Sequence, residues 1–126
     1  MSKNYNYSRA FNKCVSYFGG DDLAANVFLT KYALTDKQGN LQEQTPDDMH
    51  KRLASEFARV EEKYPNPMSE DEIYSLFANF KYVVPQGSPM SGIGNPHQIQ
   101  SISNCFVIEP PHDSYGGILK TDQELV

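Results

Sequence analysis

Thr45-Pro-Asp-Asp-Met49-His-Lys-Arg-Leu53-Ala-Ser-Glu-Phe57-Ala-Arg-Val60-Glu-Glu-Lys-Tyr64 is the stretch whose reading decides the fold class. Met49, Leu53, Phe57, Val60 and Tyr64 recur at spacings of 4, 4, 3 and 4, which places them on one stripe of a 3.6-residue helix. Thr45 offers a capping hydroxyl, and Pro46 takes the first helical position, where its missing N–H costs nothing. Asp47 and Asp48 then meet the positive end of the helix dipole. His50, beside Met49, is expected to be a solvated residue of this helix. Pro65-Asn66-Pro67 should end it.

Helical grammar continues on both sides of this stretch. Ser69-Glu70-Asp71-Glu72 has the form of a capping box, Ser at the cap and Glu three residues later, before Ile73, Leu76, Phe77 and Phe80. Upstream, Asp21-Asp22 caps a predicted helix through about Leu34, with Leu23, Val27 and Phe28 on one side. Ser8 to Phe18 places Phe11, Cys14, Val15 and Phe18 at helical spacing and stops at Gly19-Gly20. Asp36 to Asn40 holds the Gly and Asn that a positive-φ turn requires. Four helices are therefore expected by Lys81.

From Tyr82 the pattern changes. Val83 to Pro96 contains three Gly and three Pro, which predicts a shaped loop and no helix. Gln98 to Glu109 reads as a strand apolar on both faces at its end, stopped by Pro110-Pro111. Asp113-Ser114 should cap a last helix carrying Tyr115, Ile118, Leu119, Leu125 and Val126. A lone strand cannot satisfy its own hydrogen-bonding edges. The expectation is that this chain is the front piece of something larger, and that its strand completes a sheet supplied by another segment.

Composition narrows the function. With 126 residues the chain has room for one ordinary core. Sixteen acidic against eleven basic side chains, a net charge of −5 and no basic cluster beyond Lys51-Arg52 leave nothing to neutralise a phosphate backbone, so nucleic acid is not an expected partner. No apolar run approaches the ~20 residues that span a bilayer, and the first residues lack the apolar stretch of a secretory signal. The expected location is the reducing cytoplasm, with no membrane partner. There Cys14 and Cys105 are not expected to form a structural disulfide. Cys14 belongs to an apolar helical stripe and reads as packing. Cys105, in a strand, reads on residue type alone more as a small hydrophobe than as a catalyst. His50, His97 and His112 are scattered, and no metal-ligand spacing exists.

Several stretches together resemble a known family. They are Tyr82-Val-Val-Pro-Gln-Gly-Ser-Pro-Met-Ser-Gly-Ile-Gly-Asn95, Ser101-Ile-Ser-Asn-Cys-Phe-Val-Ile108 and Asp113-Ser-Tyr-Gly-Gly-Ile-Leu119, preceded by Asp22-Leu-Ala-Ala-Asn-Val-Phe-Leu-Thr-Lys-Tyr-Ala-Leu34 and Thr45-Pro-Asp-Asp-Met-His-Lys-Arg-Leu-Ala54. The combination resembles the N-terminal part of the catalytic (large) subunit of ribonucleotide reductase, with wording nearest the bacterial adenosylcobalamin-dependent enzymes. The implied fold is a mainly α N-terminal helical domain over residues 1–81. Residues 82–126 would follow as the opening loop, first strand and next helix of a ten-stranded α/β barrel, incomplete in this chain.

The resemblance also implies roles. Cys105 falls where the family keeps one half of the cysteine pair that reduces the ribose 2′ position. Ser88, before Pro89, matches a position that helps to hold the substrate's phosphates, and Asn104 matches a residue lining the substrate pocket. Asp113 and Ser114 match the effector site, where a deoxynucleotide or ATP selects the base to be reduced. The radical-bearing cysteine with its flanking Asn and Glu, the partner thiol and the recycling cysteines have no counterpart among these residues. Activity would therefore need the remaining catalytic segment, a ribonucleotide substrate and a thioredoxin-type reductant, in an expected homodimer. The implied cofactor is adenosylcobalamin, with a separate radical-generating metal subunit as the competing arrangement. No ATP-cone precedes the helical region, so no overall activity switch is expected. The rival reading is a non-catalytic helical interaction module or gene-fragment remnant.

Overall fold

Asn6 opens the first helix, α1 (Tyr7–Tyr17), by accepting the backbone N–H groups of Ser8 and Arg9 on its side chain. Gly19 and Gly20 close it with φ of 65° and 100°, values that glycine adopts at little steric cost. Asp21 then caps α2 (Asp22–Lys31) through the Ala24 N–H at 2.9 Å. α3 (Pro46–Glu61) is followed by α4 (Glu70–Phe77), a 3-10 turn (Ala78–Phe80), α5 (Gly87–Gly92) and α6 (Tyr115–Glu124). The computed structural model describes residues 4–103 and 105–125. Among the described residues there is no strand, only isolated bridges from Leu41 to Tyr5 and to Thr35.

α3 carries the core. Its Met49, His50, Leu53 and Ala54 are buried, and α4 lays Ile73 and Phe77 against them. α1 contributes Ala10 and Cys14, and α2 contributes Ala25, Phe28 and Leu29. Each fully buried Leu, Phe or Met contributes about 1.5–3 kcal/mol over exposure, so these few residues account for most of what holds the bundle together. The reciprocal bonds between Ser69 and Glu72 form as the capping box predicts. Cys14 is packing, as expected: burial pushes its thiol up to about 11, which leaves it protonated and unreactive.

The structure corrects the sequence reading at several places. Thr45 makes no side-chain cap bond; instead the Asp48 carboxylate reaches back to accept the Gln44 N–H at 2.9 Å. Phe57 and Tyr64 are exposed, so the stripe buries less of the helix than its spacing suggests. His50 is fully buried, not solvated. Its ring stacks on Phe77 at 6.2 Å and meets Phe80 edge-on at 4.6 Å.

The remaining corrections lie after residue 82. Gly87–Gly92 is a helix, where only a loop was expected. Pro89 is tolerated because it sits in the first turn, where no N–H is needed, and the Met90 and Ile93 N–H groups bond to the Gln86 and Pro89 carbonyls. Met90 and Ile93 pack against the helical core, which offsets the poor helix propensity of the two glycines. The described residues of Gln98 to Glu109 form no strand. The physical reason is the one that made a lone strand suspect: the described residues offer no edge for it to pair with.

Candidate functional site

The segment carrying Ser88 is fastened to the helical body by one buried ion pair. Arg52 projects from α3, and its Nε donates to Glu43 Oε1 at 2.6 Å. Its Nη2 donates to Glu43 Oε2 at 3.2 Å and to the Met90 carbonyl at 2.8 Å, and its Nη1 donates to the Ile93 carbonyl. The side chains are 9% and 5% exposed. Glu43 Oε2 also accepts the Leu34 N–H at 2.8 Å, so the chain leaving α2, the middle of α3 and the end of α5 meet at one ion pair. Removing one partner of such a pair leaves a buried charge unmatched, at a cost of about 3–5 kcal/mol.

Ser88 is half-buried in α5, between two close approaches. A Cβ on Gly87 would stand 3.3 Å from the Tyr32 ring, and a Cβ on Gly94 would stand 3.0 Å from Arg52 Cγ. α5 also receives the lead-in to Cys105: Ser91 Oγ donates to Gln100 Oε1 at 3.1 Å, and Gly92 faces Gln100 and Ile102. The structure thus brings the Ser88 helix and the approach to Cys105 together. Cys105 itself is exposed, as are Phe106 and Val107, and the dry surroundings that a reducing thiol calls for are not formed by the described residues. Asn104 lies outside the described residues.

Ser114 caps α6, as the sequence suggests, accepting the Gly117 N–H at 3.0 Å. Asp113, Ser114, Tyr115 and Ile118 line an open depression at that helix start. Gly117 admits no side chain, because a Cβ there would meet the His112 carbonyl oxygen at 2.6 Å. His97 and His112 join no cluster of metal-ligating side chains among the described residues. No helix among them is long and apolar enough to cross a membrane.

A second polar group lies at the start of α3. Lys51 and Tyr74 both donate to the Asp47 carboxylate. Burial raises the Asp47 pKa, but these donors outweigh it and leave the carboxyl below its ordinary range. The bond to Asp47 in turn pushes the Tyr74 hydroxyl up. This group ties α3 to α4.

Arg52 and Glu43 escaped the sequence reading, which saw Arg52 only as half of the longest basic cluster. Nine residues separate the two across a helix start, and no local pattern marks such a pair. His50 did leave a signal: it stands four before Ala54 and three before Leu53, on the buried side.

A family model described as the ribonucleotide reductase all-alpha domain matches residues 18–98, more than half of the chain. Comparisons with curated proteins and with solved structures gave no match.

Proposed function

The chain belongs to the ribonucleotide reductase all-alpha domain family, and from that premise we propose that it serves as the N-terminal part of a reductase catalytic chain, inactive until the remaining catalytic segment joins it. The observation that carries this reading is a contrast within one chain. The matched residues form, together with α1, a helical body with a buried core. The residues that follow hold Ile99, Phe106 and Val107 largely or fully exposed. A segment apolar on both faces is suited to burial in a parallel sheet, and the first strand of a barrel is such a place. The helical domain would end near residue 81, with residues 82–126 opening the barrel.

In the assembled enzyme, covering this segment would place Cys105 in a dry interior beside a thiol from the other segment. The overall step balances as two thiols plus a ribonucleotide giving a disulfide, a deoxyribonucleotide and water. Cys105 would supply one of the two sulfurs and one of the two reducing electrons. A thiyl radical elsewhere in the barrel would take the 3′ hydrogen and return it. Ser88 would hold substrate phosphate, Asn104 would line the pocket, and Asp113 and Ser114 would meet a nucleotide effector at the start of α6.

Adenosylcobalamin remains a proposal for the whole enzyme. The roles given to Cys105, Ser88, Asn104, Asp113 and Ser114 involve no step through that group.

One observation favours the second reading, a non-catalytic helical module: Cys105 is exposed. A single experiment separates the two. The chain is mixed with a polypeptide carrying the remaining strands and the radical cysteine, and deoxynucleotide formation is measured with a dithiol reductant. The reductase reading expects turnover only from the pair and its loss in Cys105→Ser. Turnover retained in Cys105→Ser removes that residue from the mechanism, and no turnover from the wild-type pair favours the module.

A further inference from the structure

We infer that Arg52 is a positioning residue for the Ser88 segment: seated on Glu43, its guanidinium holds the Met90 and Ile93 carbonyls and so sets where α5 presents Ser88. The inference rests on Ser88 being a phosphate contact and extends that reading to a residue in a different element.

The geometry uses the whole guanidinium. Nε and Nη2 face Glu43, while Nη2 and Nη1 also reach the Met90 and Ile93 carbonyls. A planar fork with five N–H donors can serve a carboxylate and two carbonyls at once, and an ammonium on a flexible stem cannot. The carbonyls it takes belong to the last turn of α5 and the residue after it, which lack helical partners of their own. Gly94, with φ of 69°, lies against the Arg52 stem so closely that a Cβ would stand 3.0 Å from Cγ. At the other end of α5, Gly87 lies against the Tyr32 ring. Ser88 therefore sits on a one-and-a-half-turn helix clamped at both ends. Because Gly92 and Ser91 meet Gln100 and Ile102, the same clamp also sets the approach of the Cys105 segment.

The test is made first on the full chain by amide hydrogen exchange, comparing wild type with Arg52→Lys and Arg52→Met. Lysine keeps a positive charge beside Glu43 and so guards against global unfolding, but it loses the second and third contacts. In Arg52→Lys the amides of Met90, Ile93 and Asn95, bonded to the carbonyls of Gln86, Pro89 and Gly92, should exchange at least about tenfold faster, with Leu53, Ala54 and Phe77 at wild-type rates. Arg52→Met should accelerate the same amides as much or more. Unchanged rates in Arg52→Lys, or equal acceleration throughout α3 and α4, would overturn the inference.

A second measurement reads the consequence in the assembled enzyme. Arg52→Lys should raise KM for the ribonucleotide at least about fivefold while kcat stays within about twofold. A loss of kcat at unchanged KM would overturn the positioning role. If the wild-type assembly fails to turn over, the reductase reading falls, and the exchange experiment alone still decides whether Arg52 holds α5.

Discussion

The helical body and the segment after residue 98 are made of similar residues put to opposite use. In the body, Met49, Leu53, Phe28, Leu29, Ile73 and Phe77 are all buried, with no more than 6% of any of them exposed. After residue 98, Ile99 and Val107 are fully exposed, and Phe106, Tyr115, Leu119 and Leu125 are each more than 60% exposed. The difference lies in what each pattern needs. An amphipathic helix needs one apolar face, and four such helices in sequence can cover one another. A segment apolar on both faces needs a neighbour on each side, and a short chain that has spent its helices on its own core has none to lend. The body is thus self-sufficient, whereas the apolar content of the last residues is unspent.

The largest expected effect probes the self-sufficient half. Leu53→Ala should destabilise the chain by about 2–5 kcal/mol, because Leu53 is 1% exposed and the closely packed core cannot collapse into the space left. Urea denaturation measures it. A loss under about 1 kcal/mol would mean that the body is not the tightly packed unit described here.

A smaller effect comes from His50, enclosed by Phe77 and Phe80 with no hydrogen-bond partner at either ring nitrogen among the described residues. Burial holds its pKa below the ordinary value, opposed by the Asp47 charge. The folded state holds the ring neutral to lower pH than the unfolded chain, which takes up a proton below about pH 6.5. The unfolded state then binds more protons, so this contribution is present in full above that pH and is lost as the pH falls through it. The decline runs from about pH 6.5 down to the folded-state pKa, with a slope no steeper than about 1.4 kcal/mol per pH unit. The lowered Asp47 carboxyl adds a second loss at more acid pH, as it too becomes protonated. Thermal melts from pH 7.5 to 5.5 should show the decline, and His50→Leu should flatten it. An equal slope in His50→Leu would assign the decline to other groups.

What the sequence made legible and what it hid follow the same division. Helix starts were readable at Asp21 and in the Ser69–Glu72 box, because a cap is a contact between residues three apart. Cys14 was readable from its stripe. The short helix α5 was not, because its glycines and Pro89 argue against helix locally, and only the docking of Met90 and Ile93 and the grip of Arg52 favour it. For the same reason Ser88, flagged by resemblance, came without its support: Glu43 and Arg52 meet through tertiary folding. His50 was misread because one helical stripe was drawn too narrow. The strand over Gln98–Glu109 was read from a genuine alternation, but alternation names only the faces of a strand and not the edges it pairs with.

Caps sharpen the comparison at lower magnitude. Ser69→Ala removes the side-chain acceptor of the Glu72 N–H and the Ser69–Glu72 hydroxyl bond, and should lower global stability by about 1 kcal/mol. Ser114→Ala removes the equivalent bond to Gly117, but α6 buries none of its residues. Its loss should fray that helix locally and leave the midpoint of the main transition unchanged. Circular dichroism at 222 nm and the urea midpoint distinguish the two. A midpoint shift in Ser114→Ala as large as that in Ser69→Ala would show that α6 is part of the cooperative unit.

The smallest expected effect is the one that decides whether the apolar tail is held for a partner. Phe106 is 80% exposed, so Phe106→Ala should change the stability of the isolated chain by no more than about 0.5 kcal/mol. If Phe106 is instead buried when the segment joins a sheet, the same substitution should cost about 3–5 kcal/mol in the assembly, the range for truncating a buried Phe. The measurement is a pair of numbers: the urea midpoint of the chain alone, and the dissociation constant for the polypeptide that supplies the neighbouring strands. A near-zero first number with a large second one shows apolar surface reserved for another chain. A large first number breaks the comparison between body and tail, because it would mean that the tail already stabilises the chain by itself, and two small numbers would leave Phe106 outside the assembly and locate the contact elsewhere along residues 99–125.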